Sequence, residues 1–285
     1  MKGRSPDCPS ESRASLAVGF TLIELLVVMA TIAVLSSLLL PTLAGAKSRG
    51  QQIFCLNNTR QLNLAWLLYA HDNNDLLAYN LGATEIKQIL GRNQHYNWAN
   101  SVLNWELDAD NTNTLLNTEA ALGPYVGRNN RVFKCPSDHV ISSIQRRAGW
   151  SERSRSISMN AMVGDAGEFT HGGTNVNNPS YHQFLKLSDF TATPDIFVFI
   201  EEHPDSINDG YFLNKAYEPE WTDLPASYHN GSANLSFADG HAELHHWIIP
   251  STRRPSRPDA AGLPFDLPDG DRADFNWLLS HTSTR

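Results

Sequence analysis

Between Leu25 and Leu40 the chain has no charged side chain, and the apolar run continues to Leu43 with Pro41 as its only break. A helix of about 20 apolar residues spans the hydrocarbon core of a bilayer. The pattern therefore predicts a membrane-spanning helix with a carboxylate, Glu24, almost at its start. Beyond Pro41, residues Leu56, Leu62, Leu64, Trp66, Leu67, Leu68 and Tyr69 form one broad apolar face beside Asn57, Asn58, Arg60 and Gln61. The stretch ends in His71-Asp72-Asn73-Asn74-Asp75, a cluster of poor helix formers. One helix over residues 20–70 is predicted, with Pro41 and Gly45 as points of bending or local melting.

Residues 78–130 are rich in Asn and Trp and carry no long periodic run, so short helices and loops are expected, one of them over 112–122. Strand patterns follow at 132–135, 156–160 and 196–200. The last is continuously apolar and reads as a central strand covered on both faces. Residues 164–178 are Gly- and Asn-rich and read as a loop. Apolar residues alternate on both sides of Asp239-Gly240, which predicts a β-hairpin. Asp-Gly suits a two-residue turn in which both central residues take positive φ. The fold class is α+β, a long N-terminal helix packed on an antiparallel sheet.

The segment Gly19-Phe20-Thr21-Leu22-Ile23-Glu24 resembles the N-terminus of type IV pilins and of type II secretion pseudopilins. In that family a prepilin peptidase cuts after a Gly and methylates the new N-terminal Phe. The resemblance implies a leader over 1–19, cleavage between Gly19 and Phe20, and Glu24 as the fifth mature residue. Burying a bare Glu in lipid costs at least about 3 kcal/mol. A new α-amino group can neutralise it between neighbouring helices, and breaking such a buried pair is costly. An ordinary signal peptide is the competing reading. It would place a small-residue cleavage site after the apolar run, whereas the implied cut precedes it.

The spacing His229-x9-Asp239-Gly240 resembles a domain at the C-terminus of many pilin-like proteins. Cys55-Leu56-Asn57-Asn58, Cys135-Pro136-Ser137-Asp138, the stretch from Glu201 to Gly210, and Trp277-Leu278-Leu279 look like the same family, so the resemblance covers nearly the whole mature chain. It divides the chain into the leader 1–19, a transmembrane and filament-core helix 20–43, the soluble half of that helix 44–75, an α+β head 76–250 and a Pro-rich tail 251–285. The implied partners are prepilin peptidase, other pilin or pseudopilin subunits in a helical filament, and the bacterial inner membrane. The chain would cross that membrane once with its C-terminal domain outside the cytoplasm, periplasmic or at the cell surface after assembly.

Charge and cysteine usage fit this address. Lys2, Arg4 and Arg13 outnumber Asp7 and Glu11 in the leader, as a cytoplasmic N-terminus requires. The rest is therefore more acidic than the −8 of the whole chain, which argues against nucleic acid as a partner. Cys8 would be lost with the leader. Cys55 and Cys135 are then candidates for one disulfide, or remain two buried thiols. Closing a loop of that length is worth roughly 4–5 kcal/mol in the loop-entropy description. Neither cysteine lies in a CxxC or Cys/His spacing, so the sequence carries no zinc motif.

Glu201, Glu202, His203, Asp205, Asp209, His229, Asp239 and His241 lie near predicted strand ends or turns. Glu202, Asp205 and Asp209 are the candidate metal ligands, and calcium is the ion their oxygens would suit. No cofactor is otherwise expected. The structural alternative has Asp and Asn satisfying turn amides, with His229 bonded across the hairpin to Glu202 or Asp239. A metal-dependent hydrolase could use His203, Asp205, His229 and Asp239. However, no HExxH, Gly-x-Ser-x-Gly or P-loop is present, so an enzyme is not expected. A membrane-anchored glycan-binding head would instead use Trp98, Trp105, Trp150 and Tyr181, and would show them lining an exposed groove. The function expected is a structural subunit of a type IV pilus or type II secretion-like filament.

Overall fold

The computed structural model describes residues 20–190, 195–218, 220–258, 265–267 and 270–285. The expected leader, with Gly19, lies outside them. Helix α1 (Leu22–Asp72) is the long predicted helix, and its backbone stays helical through positions 41 and 45. It starts with a capping box. The Glu24 amide donates to Thr21 Oγ1 at 3.2 Å, while Glu24 Oε2 accepts from the Thr21 amide at 2.8 Å and its hydroxyl at 2.7 Å. Thr31 and Ser37 donate their hydroxyls to the carbonyls of Val28 and Val34, three residues back along the helix.

Two compact units result, one ending at Lys47 and the other comprising Ser48–Arg285. In the first, the helix is long and apolar enough to cross a membrane, and Leu22, Ile23, Leu26, Leu35, Leu39 and Leu43 are all exposed. The second unit is the folded head. Its short helices are α2 (Ala83–Gly91), α3 (Leu115–Thr118), α4 (Ser143–Arg147) and α5 (Ala273–Ser280). Its strands begin with β1 (Ile157–Asn160), β2 (Thr170–His171), β3 (Thr174–Asn175), β4 (Asn178–His182) and β5 (Phe197–Glu201). They continue with β6 (Tyr211–Phe212), β7 (Glu220–Trp221), β8 (Ser232–Phe237), β9 (Ala242–His246) and β10 (Phe265–Asp266).

The main sheet has the order β6-β1-β5-β8-β9. It is mixed rather than antiparallel, because β6 runs parallel to β1. Strand β5 is central and buried along its whole length, as its apolar run predicts. A bulge at Phe197/Phe199 breaks its alternation. Val198 and Phe199 consequently join one core cluster with Leu62, Trp66 and Ala70 of α1, while Phe197 and Ile200 join another with Leu235, Trp247, Phe275 and Leu278. Asn63 fixes α1 against the sheet by donating its amide to the Phe237 carbonyl at 2.9 Å.

Three elements depart from the sequence pattern. Residues 132–135 do not form a strand. The Asn129 side chain accepts the Arg131 amide and starts a 3-10 turn over Asn130–Phe133, which buries Val132 and Phe133 without strand pairing. Residues 164–178 are not an open loop, since β2, β3 and β4 form a three-stranded sheet. Its buried Asn175 donates to Gln183 at 2.9 Å and to the Tyr211 hydroxyl at 2.6 Å, so amide bonding replaces an apolar signature. Residues 251–285 are not an appended tail: β10 pairs with β7, and α5 inserts Phe275 and Leu278 into the core.

The hairpin joins β8 to β9 with Ser236 opposite Ala242, but its loop has three residues rather than two. The Phe237 amide donates to the His241 carbonyl at 2.9 Å and the Gly240 amide to the Phe237 carbonyl at 3.0 Å. Only Gly240 takes positive φ, at +96°, the turn-plus-bulge geometry of three-residue hairpins. A Cβ at Gly240 would meet nothing closer than Leu67 Cδ1 at 3.6 Å, so Gly240→Ala is expected to cost only the backbone strain, about 1–2 kcal/mol. Trp66→Ala should cost about 3–5 kcal/mol, because it opens a cavity in the core. Denaturant unfolding of the detergent-solubilised chain, followed by tryptophan fluorescence, measures both; an equal loss in the two variants would contradict this account.

Candidate functional site

The C-terminal end of β5 gathers four chemically competent side chains. Cys55 comes from α1, and Cys135 follows the Asn130–Phe133 turn, its amide donating to Ser156 Oγ at 2.6 Å. The two are disulfide-bonded, with Cα atoms 5.2 Å apart across a sequence separation of 80. His229 precedes β8 and is set by a tight reversal in which Asn230 and Gly231 take φ of +55° and +85°. Its Nε2 lies 3.4 Å from Cys135 Sγ and 3.3 Å from Glu201 Oε1. Glu201 is oriented through its other oxygen, which accepts from the Asn234 amide at 2.8 Å and from Asn234 Nδ2 at 3.2 Å. All four side chains are buried, and one ligand atom from each lies within 4.8 Å of the other three.

This arrangement corrects the expected partner of His229. It bonds to Glu201, not to Glu202 or Asp239. Asp239 stands at the opposite end of β8, which at about 3.3 Å per residue is a separation of roughly 20 Å. There Asp239 Oδ1 accepts from the His241 amide at 2.9 Å and meets His241 Nδ1 at 2.5 Å. Gly240 shapes the turn.

A second polar group is built around Arg155, which is fully buried. It donates to the carbonyls of Ile157, Ser101 and Asn208 at 2.6, 3.3 and 2.9 Å, and to the hydroxyls of Ser101 and Ser158 at 3.1 and 3.0 Å. The Ser158 hydroxyl in turn donates to Glu202. Burial pulls the Arg155 guanidinium down to about 10, against the opposing pull of the Glu202 and Asp209 carboxylates. Burial pushes Glu202 up to about 7, more strongly than its hydrogen bond from Ser158 and the nearby Arg155 charge hold it down. Asp209 and Asp223 are pushed up by burial as well. Gly210 is required here: it takes φ of +86°, and a Cβ would lie 2.9 Å from the Trp98 ring and 3.1 Å from Arg155 Nη1.

Two of the expected metal ligands, Asp209 and Asp205, accept from backbone amides, while Glu202 accepts from the Ser158 hydroxyl. Asp209 Oδ2 accepts from the Ala83 amide at 2.9 Å, capping the first turn of α2 from a distant segment, and Oδ1 accepts from Tyr211 at 3.1 Å. Asp205 Oδ1 accepts from the Arg257 amide at 2.8 Å, and its own amide donates to His203 Nδ1 at 3.2 Å. His203 Nε2 meets the Arg254 carbonyl at 3.0 Å. Among the described residues, Glu202, Asp205 and Asp209 do not converge on a common centre; Cys55, Cys135, Glu201 and His229 do. The loop aromatics line no common exposed groove either. Trp98 is buried between Phe133 and Phe199, Trp105 is covered by the Arg153 guanidinium at 4.1 Å, and Trp150 and Tyr181 are half-buried.

Sequence reasoning grouped Glu201 and His229 only loosely, and set the cysteines apart as a disulfide question. Their convergence depends on contacts 94, 80 and 28 residues apart, which no local spacing encodes. No protein-family model matches the chain, and neither does any curated protein or solved structure.

The raised Glu202 carboxyl has a consequence for stability. Its folded-state value of about 7 lies above the ordinary 4.5, so the folded chain binds that proton more tightly than the unfolded one. The resulting stabilisation is complete below about pH 4.5 and is lost as pH rises through about 7. Glu202→Gln keeps an acceptor for Ser158 without the charge. Relative to the native chain it is expected to gain about 2–3 kcal/mol between pH 5 and pH 8. Denaturant titrations at the two pH values test this, and a pH-independent difference between the two proteins would refute it.

Proposed function

We propose that the chain is a pilin-like or pseudopilin subunit, cut after Gly19 by prepilin peptidase and assembled through its apolar helix into a type IV pilus or type II secretion-like filament. The observation that carries this reading is the first part of α1. A helix of membrane-crossing length exposes its apolar side chains on all sides, directly after Gly19-Phe20 and with Glu24 in its first turn. Such a surface demands lipid or other helices around it. In the head, Leu64 and Leu68 stand one turn apart and exposed, an apolar patch of its own that neighbouring subunits would cover. A disulfide-bonded head suits an extracytoplasmic address. The glycan-binding alternative is disfavoured because Trp98 is a core residue.

The capping box refines the role of Glu24. Within one chain its carboxylate is satisfied by Thr21, and in a filament the free amine of a neighbouring Phe20 would compete for it. Assembly then exchanges a local cap, which hydrogen-bonds the carboxylate but leaves its charge, for an intermolecular ion pair that neutralises it.

Mutation of three positions separates the steps. Replacing Gly19 by Val should abolish cleavage, leaving the Met1 start in intact-mass spectra. Glu24→Leu should insert and be cut but lower filament yield at least about tenfold, the worth of one moderate ion pair. Thr21→Val removes the hydroxyl of the cap while keeping the Glu24 charge, and should assemble normally. Equal loss of filaments in Glu24→Leu and Thr21→Val would mean that Glu24 acts only as a helix cap. A native chain that retains Met1 would sink the filament reading altogether.

A further inference from the structure

We propose that, in the dithiol state of the chain, Cys55, Cys135, His229 and Glu201 form a buried tetrahedral site for a soft divalent cation of the zinc type, and that this metal and the disulfide are alternative occupants of one place. The geometry carries the inference. Bonds of about 2.0–2.3 Å from zinc to nitrogen, oxygen and sulfur place neighbouring ligand atoms of a tetrahedron roughly 3.3–3.8 Å apart. The edges from His229 Nε2 to Cys135 Sγ and to Glu201 Oε1 measure 3.4 and 3.3 Å with the disulfide in place. The fourth ligand, Cys55, lies in the same 4.8 Å group.

The donor set fits as well. Two thiolates, one imidazole and one carboxylate select a cation of intermediate softness over calcium or magnesium. Glu201 already has the supporting bonds that such ligands need: Asn234 holds Oε2 with two donors, leaving Oε1 facing His229. The cysteine and histidine ligands show no zinc-type spacing in the sequence because each comes from a different part of the fold.

The chemistry balances without further components in the loading step. The cation displaces one proton from each of the two thiols and binds the two thiolates. A disulfide-class oxidant later removes two electrons from those thiolates. The protein S–S bond forms, the oxidant is reduced to two thiols with the uptake of two protons, and the cation leaves. Metal would thus hold the head together before oxidation. The inference does not depend on filament assembly.

The test uses the full chain in detergent, reduced with a phosphine, and Co2+ as the probe. One equivalent of Co2+ is expected to give thiolate charge-transfer absorption in the near ultraviolet and intense tetrahedral bands in the visible, with Zn2+ displacing it. The oxidised chain should give neither. His229→Ala and Glu201→Gln should each weaken Co2+ binding at least about tenfold. Near-ultraviolet circular dichroism of the same samples reports folding. If the reduced chain loses its native signal, added Co2+ should restore it. A folded reduced chain without the absorption, a reduced chain that Co2+ fails to refold, or both variants binding like the native protein would each overturn the proposal.

Discussion

The fold depends on one constraint: strand β5 has no polar face. Every residue from Phe197 to Glu201 is buried, so each side of the sheet at its centre must be covered by something apolar. On one side the cover is the C-terminal part of α1, with Leu62, Trp66 and Ala70. On the other side there is no second long helix among the described residues, and the cover is assembled from Trp221, Trp247, Phe275 and Leu278. That requirement draws the end of the chain back onto the sheet. Asn160 secures the return by donating its amide to the Thr282 carbonyl and the Phe197 carbonyl, both at 2.8 Å.

The same strand distributes the polar chemistry. Successive side chains of an extended segment point to opposite faces. Glu201 and Glu202 therefore engage different partners although they are adjacent. Glu201 meets His229 and the cysteine pair; Glu202 meets Ser158, within the network of Arg155. Both carboxylates are buried, and burial of that kind survives only with dedicated donors. One network joins α1 to the sheet, and the other joins the sheet to the loops carrying Ser101 and Asn208. The head thus rests on polar pinning as much as on its aromatic core.

How much of this the sequence discloses follows from the range of the interactions involved. The α1 helix, the central strand and the hairpin are legible because each is written in a local period or a turn dipeptide. The sequence offers Cys55 and Cys135 as a disulfide or as two buried thiols, and only because the resemblance removes Cys8 with the leader; the fold decides between them. Elsewhere local reading fails for identifiable reasons. Residues 132–135 look extended, but the cap supplied by Asn129 closes a turn first. Residues 164–178 look open because their sheet is held by Asn175 and Gln183 rather than by apolar side chains. Asp209 looks like a free ligand because the helix start it caps lies 126 residues away. The Cys55–Cys135–His229–Glu201 grouping is the extreme case, since every one of its members arrives by tertiary contact.

The strand β8 gives the spacing from His229 to Asp239 a plain mechanical meaning. The nine residues between them comprise the Asn230-Gly231 reversal, the six residues of β8, and Ala238 at the head of the turn. The interval is thus a ruler laid along the sheet. Adding or removing one residue would turn every β8 side chain to the other face, exchanging Leu235 for a polar neighbour in the core. Changing it by two would restore the faces but shift the turn relative to the imidazole by about 6–7 Å, twice the reach of a hydrogen bond. The interval between the imidazole and the turn is, in this chain, a unit of length.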